Sequence, residues 1–277
     1  MVPTFPLFVP GDRPDRFAKA AASGADAVII DLEDAVAPQN KAAARANLGK
    51  HGLAPENVIV RVNGDATPFW DEDLAAVAAT GIRTILIPKA EREETLAAVR
   101  AALGDEAVLL PMIESVRGLS NLQHLLLAPG VAAIAFGHLD FAVDLRCEPD
   151  WDVLASVRST LVVQSRLAGR AAPIDGITAD FTSSATAQDA ERARRFGFGG
   201  KLMIHPAQIA AARSVFIPSE AERAWARAVV DATANGETGV ITVDGKMVDR
   251  PIIERAHHIL ALCVKFEIRG APTIRSS

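Results

Sequence analysis

The feature that most constrains the fold is a regular alternation between short apolar runs and longer stretches of helical periodicity. Such alternation is typical of βα units, in which helices join parallel strands. Eight units of this kind predict an α/β fold, a TIM or (β/α)₈ barrel, whose active site lies where the strands end. The predicted strands cover residues 5–9, 27–31, 58–64, 84–87, 109–113, 131–136, 171–175 and 201–204.

The pattern changes after residue 217. A helical stretch over 219–234 is followed by two short apolar runs around Asp244-Gly245, a pair that is typical of a β-hairpin turn, and by a last helical stretch that starts near residue 250. This segment holds too little apolar sequence for a separate core. We therefore predict a barrel over residues 1–217 and a helix–hairpin–helix extension over 218–277, which packs on the barrel or on a neighbouring subunit.

Composition restricts the class of protein. The chain has 277 residues, 49% of them hydrophobic, and a formal net charge of −5, so it can bury a large core and offers no general attraction to nucleic acid or anionic membranes. Its two cysteines, Cys147 and Cys263, are too few for a disulfide framework. The first residues lack a basic region followed by a long apolar segment, so we expect no signal peptide, and no apolar run approaches the roughly 20 residues that span a bilayer. We expect a soluble, cytoplasmic protein without a nucleic-acid or membrane partner.

Two carboxylates stand close behind consecutive apolar runs. Glu114 ends the run 109–113, and Asp140 follows the run 131–136. If both runs are parallel strands of a barrel, both acids face the same end of it. Two carboxylates with open water positions suit a hard cation such as Mg²⁺. The alternative is that each acid caps the helix that follows it.

Further charged groups are predicted at the same end of the barrel. Arg61 is flanked by valines, so it must face solvent or pair with an acid or a ligand, and it can hold a substrate carboxylate through two parallel hydrogen bonds. A metal that stabilises an enolate, together with such an arginine, is the apparatus of an aldol or Claisen-type lyase. The other groups expected there are Glu33, Asp34, Lys89 and His205.

Four of the residues at this end leave alternatives open. Lys89 could be the nucleophile of a Schiff-base aldolase, or it could pair with an acid. His205 could be a base or a metal ligand, or it could start the helix after strand eight. Gly137 and His138 precede Asp140 and are candidates for the wall that contacts the substrate; ordinary hydrogen bonding in a loop is the alternative for the histidine.

Several motifs, in order along the chain, resemble those of citrate lyase β-subunit-like proteins in the HpcH/HpaI aldolase superfamily. They cover nearly the whole chain, so together they are specific. The motifs are Val9-Pro10-Gly11-Asp12-Arg13-Pro14-Asp15-Arg16, Asp31-Leu32-Glu33-Asp34, Arg61-Val62-Asn63, Pro88-Lys89, Ile113-Glu114-Ser115-Val116-Arg117-Gly118, Ile204-His205-Pro206-Ala207-Gln208 and Asp244-Gly245-Lys246-Met247-Val248-Asp249-Arg250-Pro251.

This resemblance implies a TIM barrel and a magnesium-dependent site. It implies Mg²⁺ held by Glu114 and Asp140, with a substrate carboxylate on Arg61. It places Glu33 and Asp34 around the metal, where they orient its water ligands.

The resemblance also implies roles for residues near the two ends of the chain. Asp249 corresponds to an aspartate that, in members cleaving malyl-CoA-type thioesters, reaches a neighbouring subunit's site as acid/base, so we expect a homo-oligomer, a trimer or hexamer. The alternative is an N-cap of the last helix. Arg13, Arg16 and Lys19 correspond to the place where the family meets CoA phosphates; surface solvation is the alternative for these three.

One stretch departs from the family pattern. Where the family usually has Gly-x-Glu-Asp-Leu, this chain has Gly137-His138-Leu139-Asp140-Phe141, which keeps the metal ligand and changes the wall beside it. The predicted function is reversible, Mg²⁺-dependent cleavage of a 3-hydroxyacyl thioester, such as malyl-CoA or citramalyl-CoA, into a keto acid and an acyl-CoA. The alternatives are a metal-dependent aldolase for CoA-free hydroxy-keto acids and a non-catalytic lyase subunit within a complex.

Overall fold

The predicted barrel is confirmed by a computed structural model, which describes residues 2–234, 241–243 and 246–270. Eight parallel strands follow one another in chain order around a single sheet. Phe8 N donates to Met203 O at 2.9 Å, and Leu7 and Met203 form a bridge, so the segment after the last strand returns to the first. The strands are β1 (Pro6–Pro10), β2 (Ala27–Asp31), β3 (Val58–Arg61), β4 (Thr84–Ile87), β5 (Val108–Ile113), β6 (Ala135–Phe136), β7 (Ile174–Asp175) and β8 (Gly200–Lys201).

The last three strands are shorter than the sequence predicts. The predicted strand 131–136 keeps only its end as β6, while Val131 makes an isolated bridge to Leu109. In the predicted strand 171–175, Pro173 has no N–H to donate to the ladder, and regular pairing begins only at Ile174. Apolar composition therefore located these strands correctly but not their paired length.

Ten α-helices connect or follow these strands in the described part of the chain up to residue 216. The helix α9 follows Thr182, an N-cap whose side chain accepts from Ala185 N, and it ends before Gly197, which has φ 98°. Helices do follow Glu114 and Asp140, but the N-cap of α5 is Ser115 and that of α7 is Gly137, so neither acid is the N-cap. The helices are α1 (Phe17–Ala21), α2 (Lys41–Leu48), α3 (Trp70–Ala78), α4 (Glu93–Leu103), α5 (Val116–Ser120), α6 (Leu122–Leu127), α7 (His138–Leu145), α8 (Ala155–Leu167), α9 (Ser183–Phe196) and α10 (Ala207–Phe216).

Alternate residues of the strands fill the inside of the barrel. Because successive side chains of a strand face opposite sides, the residue two places after an inward side chain faces inward again. Small and branched side chains therefore form layers, and the last inward layer lies at the carboxyl ends of the strands. The buried inner cluster consists of Ala27, Ile29, Ile59, Leu86, Leu110, Met112, Ala133, Ala135, Ile174 and Leu202.

The chain divides into two compact units, Met1–Arg213 and Ser214–Ser277. In the second unit α11 (Glu220–Ala234) begins with a capping box, in which Ser219 N donates to Glu222 Oε2 at 2.8 Å and Glu222 N to Ser219 Oγ at 3.2 Å. Strands β9 (Ile241–Val243) and β10 (Lys246–Val248) pair antiparallel, and α12 (Arg250–Gly270) follows. The hairpin turn predicted at Asp244-Gly245 lies outside the described residues. Of the helices described, none is long and apolar enough to cross a membrane.

Candidate active site at the carboxyl ends of the strands

Strand alternation brings two of the predicted charges, Arg61 and Glu114, into the last inward layer together with Asp31, which was not predicted there. Asp31, Arg61 and Glu114 each stand two residues after an inner-cluster side chain, namely after Ile29, Ile59 and Met112 respectively. All three are buried and line one cavity of about 410 Å³. Its other polar lining residues are Asp34, His138 and Asp140.

Arg61 is paired with acidic side chains of the protein itself. Its Nε and Nη2 donate to Asp31 Oδ1 and Oδ2, each at 2.7 Å, and its Nη1 lies 2.9 Å from Glu33 Oε2. The guanidinium also lies over the ring of Phe8, at 4.8 Å from the centroid. This differs from the expected two-bond grip on a substrate, because Asp31 already occupies the Nε–Nη2 edge.

Hydrogen bonds with two buried side chains hold the backbone of the loop after β2. Asp31 accepts hydrogen bonds from Glu33 N at 2.9 Å and Ala35 N at 3.1 Å, and buried Lys41 donates to the carbonyls of Leu32 and Glu33 at 2.6 and 2.7 Å. These bonds determine where Glu33 and the next residue stand.

The two acids on this loop differ in burial. Glu33 is buried, which raises its pKa to about 7 despite the positive charge of Arg61. Asp34 is exposed and lines the cavity, with Oδ2 at 3.8 Å from Arg61 Nη1. Asp34 can therefore touch a bound molecule, whereas Glu33 acts chiefly on Arg61.

Glu114 has one satisfied and one unsatisfied oxygen. Its Oε1 accepts from Lys89 N at 2.7 Å, but within the described part of the chain no donor reaches the buried Oε2. Burial, followed by the neighbouring charge of Glu33, raises the pKa of Glu114 to about 8. A buried carboxylate oxygen without a partner is costly, so this oxygen is suited to bind a cation.

Gly137 makes room for this carboxyl group. A Cβ at position 137 would stand 2.6 Å from Glu114 Cβ and closer still to Oε2, distances that real atoms do not adopt. The predicted substrate-wall residue Gly137 thus has an observed packing reason to be glycine. Its contact with substrate stays a prediction.

The donor set fits Mg²⁺. Asp140 is exposed on the first turn of α7, lines the same cavity, and its charge contributes to the raised pKa of Glu114. No group of three or more His, Cys, Asp or Glu ligands is assembled among the residues described. Two carboxylates are enough for Mg²⁺, which usually keeps several waters and binds substrate oxygens directly.

A buried cluster of charged residues, which the sequence did not predict, lies beside the cavity. Fully buried Asp175 accepts from Arg158 Nε at 3.1 Å and from Lys201 Nζ at 3.0 Å. His138 packs close to this cluster; burial, with the charges of Arg158 and Lys201, lowers its pKa to about 4. His138 is therefore a neutral wall residue at pH 7. The sequence contains one indication of this cluster, because Arg158 lies on the apolar face of its helix, between Leu154 and Leu161.

In the structure Lys89 lies near an acid and His205 starts a helix, which are the two structural alternatives given for them. Lys89 Nζ is 3.6 Å from Glu33 Oε1. Although burial lowers the pKa of Lys89, the charges of Glu33 and Glu114 raise it above its ordinary value, which is the opposite of what a Schiff-base nucleophile requires. His205 precedes α10, and its Nδ1 accepts from Ala207 N at 3.2 Å, as a helix-starting residue does.

The residues inferred from the resemblance at the chain's two ends are exposed. Arg13 pairs with Asp15 at 3.0 Å, while Arg16 and Lys19 lie on the surface after β1. Asp249 Oδ1 accepts from Ile252 N at 3.2 Å, which is the predicted N-cap geometry. The proposed ligand contacts of all four remain predictions.

The two raised pKa values predict a pH-dependent stability for the metal-free protein. Glu114 and Glu33 have folded pKa values of about 8 and about 7, above the ordinary 4.5, so the folded state keeps protons that the unfolded chain has released. Their stabilising effect is complete below pH 4.5 and is lost as the pH rises through 7 and 8. We expect the free energy of unfolding to fall by about 2–3 kcal/mol between about pH 6.5 and pH 8.5.

Urea unfolding in EDTA across this range measures the effect. The contribution of His138 has the opposite sign, since its folded pKa is lowered, and most of it falls below pH 6.5. The unfolded histidine is half protonated at pH 6.5, so what remains above that pH is about 0.4 kcal/mol and offsets only a small part of the expected fall. The variant Glu114→Gln should lose most of the pH dependence. A flat profile for the unsubstituted protein would contradict the burial of an unpaired Glu114.

Comparison with known proteins gives one consistent family. The model of the HpcH/HpaI aldolase/citrate lyase family matches residues 4–206. The chain is 36% identical over 272 residues to a citrate lyase subunit beta-like protein of Deinococcus radiodurans, covering 92% of this chain and 95% of that protein. It is also 36% identical over 266 residues to a (3S)-malyl-CoA thioesterase of Cereibacter sphaeroides, covering 92% of each.

A solved structure extends the likeness to the fold. CitE from Mycobacterium tuberculosis, in complex with magnesium, acetoacetate and coenzyme A, superposes with a TM-score of 0.84 at 33% sequence identity. The match covers 95% of this chain and 98% of that one.

Proposed function

Because the chain belongs to the HpcH/HpaI aldolase/citrate lyase family, we propose that it is a Mg²⁺-dependent carbon–carbon lyase. Its substrate is a 3-hydroxyacyl thioester such as malyl-CoA or citramalyl-CoA, which it cleaves reversibly into a keto acid and an acyl-CoA. The observation that carries the proposal is the buried, unpartnered Oε2 of Glu114 in the cavity that Arg61 and Asp140 also line. The magnesium, acetoacetate and coenzyme A bound by the similar CitE structure support it.

Glu114 and Asp140 would hold the metal. When bound, Mg²⁺ supplies positive charge that stabilises a developing enolate or alkoxide. The carboxyl group of Glu114 is already positioned for this role, because Lys89 N donates to Oε1 and Gly137 leaves space beside Oε2. Asp140 completes the pair from the start of α7.

The remaining steps are assigned to side chains that can reach the substrate. Arg61 binds the carboxylate of the keto-acid part, and Asp31 and Glu33 position its guanidinium. Asp34, exposed on the cavity, accepts the hydroxyl proton when the carbon–carbon bond breaks. Asp249 of a neighbouring subunit then protonates the released enolate, which makes a homo-oligomer, a trimer or hexamer, part of the proposal.

The bound partner is therefore a small-molecule acyl thioester. Arg13, Arg16 and Lys19 are proposed to contact the CoA phosphates from the segment after β1. A cytoplasmic location is part of the same proposal.

Keto-acid release from a panel of malyl-, methylmalyl- and citramalyl-CoA tests the function. We expect release in Mg²⁺, loss in EDTA, and loss in the variant Asp140→Asn, because the isosteric amide removes a metal ligand without changing volume. The matched control is Asp144→Asn, one turn further along α7, whose carboxyl accepts from Val116 N and is not part of the proposed site.

The panel also separates the alternatives. Release that survives both EDTA and Asp140→Asn would contradict the metal-dependent mechanism. No release from any thioester, with release from CoA-free hydroxy-keto acids, would identify an aldolase instead. No release from either substrate class would favour a subunit that works only within a complex.

A further inference from the structure

We propose that Phe181 and His205 form a subsite for the pantetheine arm of the acyl thioester, at the rim of the cavity. The inference rests on the proposed function, since it concerns how the thioester is held beyond its reacting end. We call this pair, together with Ile204, the rim platform.

The rings of Phe181 and His205 stack on each other, and both side chains remain partly exposed. Their centroids are 4.8 Å apart, their planes differ by 27°, and 55% of Phe181 is exposed. Phe181 lies on the loop between β7 and α9, whereas His205 follows β8, so the stack joins two separate loops. Exposed aromatic faces of this kind are favourable contact surfaces, because they bury area at little cost in side-chain entropy.

The platform is held in place before any ligand binds. Buried Gln208 accepts at Oε1 from the N–H groups of Ile204 and His205, at 2.9 and 3.1 Å. Its Nε2 donates to Thr178 O on the β7–α9 loop at 2.9 Å. One side chain therefore ties together the loops that carry the two rings, which lowers the cost of ordering them on binding.

The platform continues the wall of the cavity. Ile204 is 38% exposed and lines the cavity next to Leu202 and Ile177. Apolar side chains therefore line the cavity as far as Ile204, and the next residue in the chain, His205, carries the stack with Phe181. A substrate whose reacting end sits at Glu114 would leave the cavity over these side chains.

The platform also lies on the route to the basic residues. The segment after β8 is hydrogen-bonded to β1 through Phe8 N and Met203 O, so the loops that follow these strands are neighbours at the mouth. The loop after β1 carries exposed Arg13 and Arg16. An arm that joins a thioester in the cavity to phosphates on that loop crosses the rim, and its pantoyl part carries two methyl groups suited to an aromatic face.

Three thioesters of one acyl group test the subsite: the CoA thioester, the pantetheine thioester without the nucleotide, and the N-acetylcysteamine thioester without the pantoyl group. The variant Phe181→Ala should lower kcat/KM on the order of tenfold on the first two, as expected for two buried methyl groups, and by much less on the third. A second variant, His205→Asn, keeps an acceptor for Ala207 N but removes the ring, and should shift the three substrates in the same pattern. The matched control is Leu167→Ala, an exposed apolar truncation at the end of α8, before β7 and thus at the opposite end of the barrel.

Each outcome decides the inference. An equal loss on all three substrates in Phe181→Ala would show a structural effect, and a loss confined to the CoA thioester would show a nucleotide contact; either overturns the pantetheine subsite. Equal kcat/KM values for unsubstituted protein on the pantetheine and N-acetylcysteamine thioesters would overturn it as well. Turnover of none of the three by the unsubstituted protein would refute the proposed function itself, which is a different result.

Discussion

The variant Glu114→Gln is expected to lower kcat/KM for the thioester on the order of a thousandfold at saturating Mg²⁺. Glutamine keeps an oxygen that can accept from Lys89 N, so the local fold should persist, but it replaces the unpartnered Oε2 by an uncharged NH₂ group. The substitution therefore removes the proposed metal ligand and little else. Steady-state kinetics across a Mg²⁺ titration measures the loss.

A stability readout distinguishes this role from a merely structural one. Mg²⁺ should raise the thermal midpoint of the unsubstituted protein, because it binds only the folded state, and should leave Glu114→Gln unchanged. In EDTA above pH 8 the variant should be at least as stable as the unsubstituted protein, since no buried charge remains at that position. Glu94→Gln, on the exposed first turn of α4, is the control. Equal stabilisation of the unsubstituted protein and of Glu114→Gln by Mg²⁺ would show that the metal binds elsewhere.

The variant Arg61→Lys is expected to lose about 3 kcal/mol of stability and more than about a hundredfold in kcat/KM. Lysine keeps the charge but cannot bond both oxygens of Asp31 and reach Glu33 as well. A buried carboxylate then loses part of its pairing, and the substrate carboxylate loses its oriented partner. Chemical unfolding and kinetics on the same preparations measure the two effects.

A second paired arginine serves as the comparison. Arg45 binds Glu72 and Asp73 on α3, outside the cavity, so Arg45→Lys should cost stability without a specific loss of activity. If Arg61→Lys behaved like Arg45→Lys, its role would be limited to holding Asp31 and Glu33. If it changed neither quantity, the buried pair would contribute nothing measurable.

The strand ends were predictable because burial and alternation act locally. The apolar runs locate β1 to β5 within one or two residues, apart from the longer prediction for β3, and they place Arg61 and Glu114 directly at or after a strand. For an arginine among valines the sequence leaves two possibilities, exposure to solvent or pairing with an acid or a ligand. That the partner is Asp31, rather than a ligand, depends on register: Asp31 and Arg61 are paired residues of neighbouring strands. No property of either segment alone contains that information.

The buried polar groups behind the site were harder to predict. Lys41 falls on the buried face of α2 with Ala44 and Leu48, yet its acceptors are backbone carbonyls of another segment. Asp175 and Lys201 are hydrogen-bonded to each other only because the neighbouring strands β7 and β8 bring them together. Pattern analysis can flag a charge on an apolar face, but it cannot name the group that neutralises it.

The glycine beside Glu114 limits how such a site can diversify by mutation. The first carbon of any side chain at 137 would collide with Cβ of residue 114, so shortening Glu114 to another acid would not make room. Gly176 stands in the same relation to the ring of His138. New specificities are therefore accessible by exchanging side chains that already project into the cavity, such as Leu139 or Ile204, whereas positions 137 and 176 are closed to variation unless the strands themselves move apart.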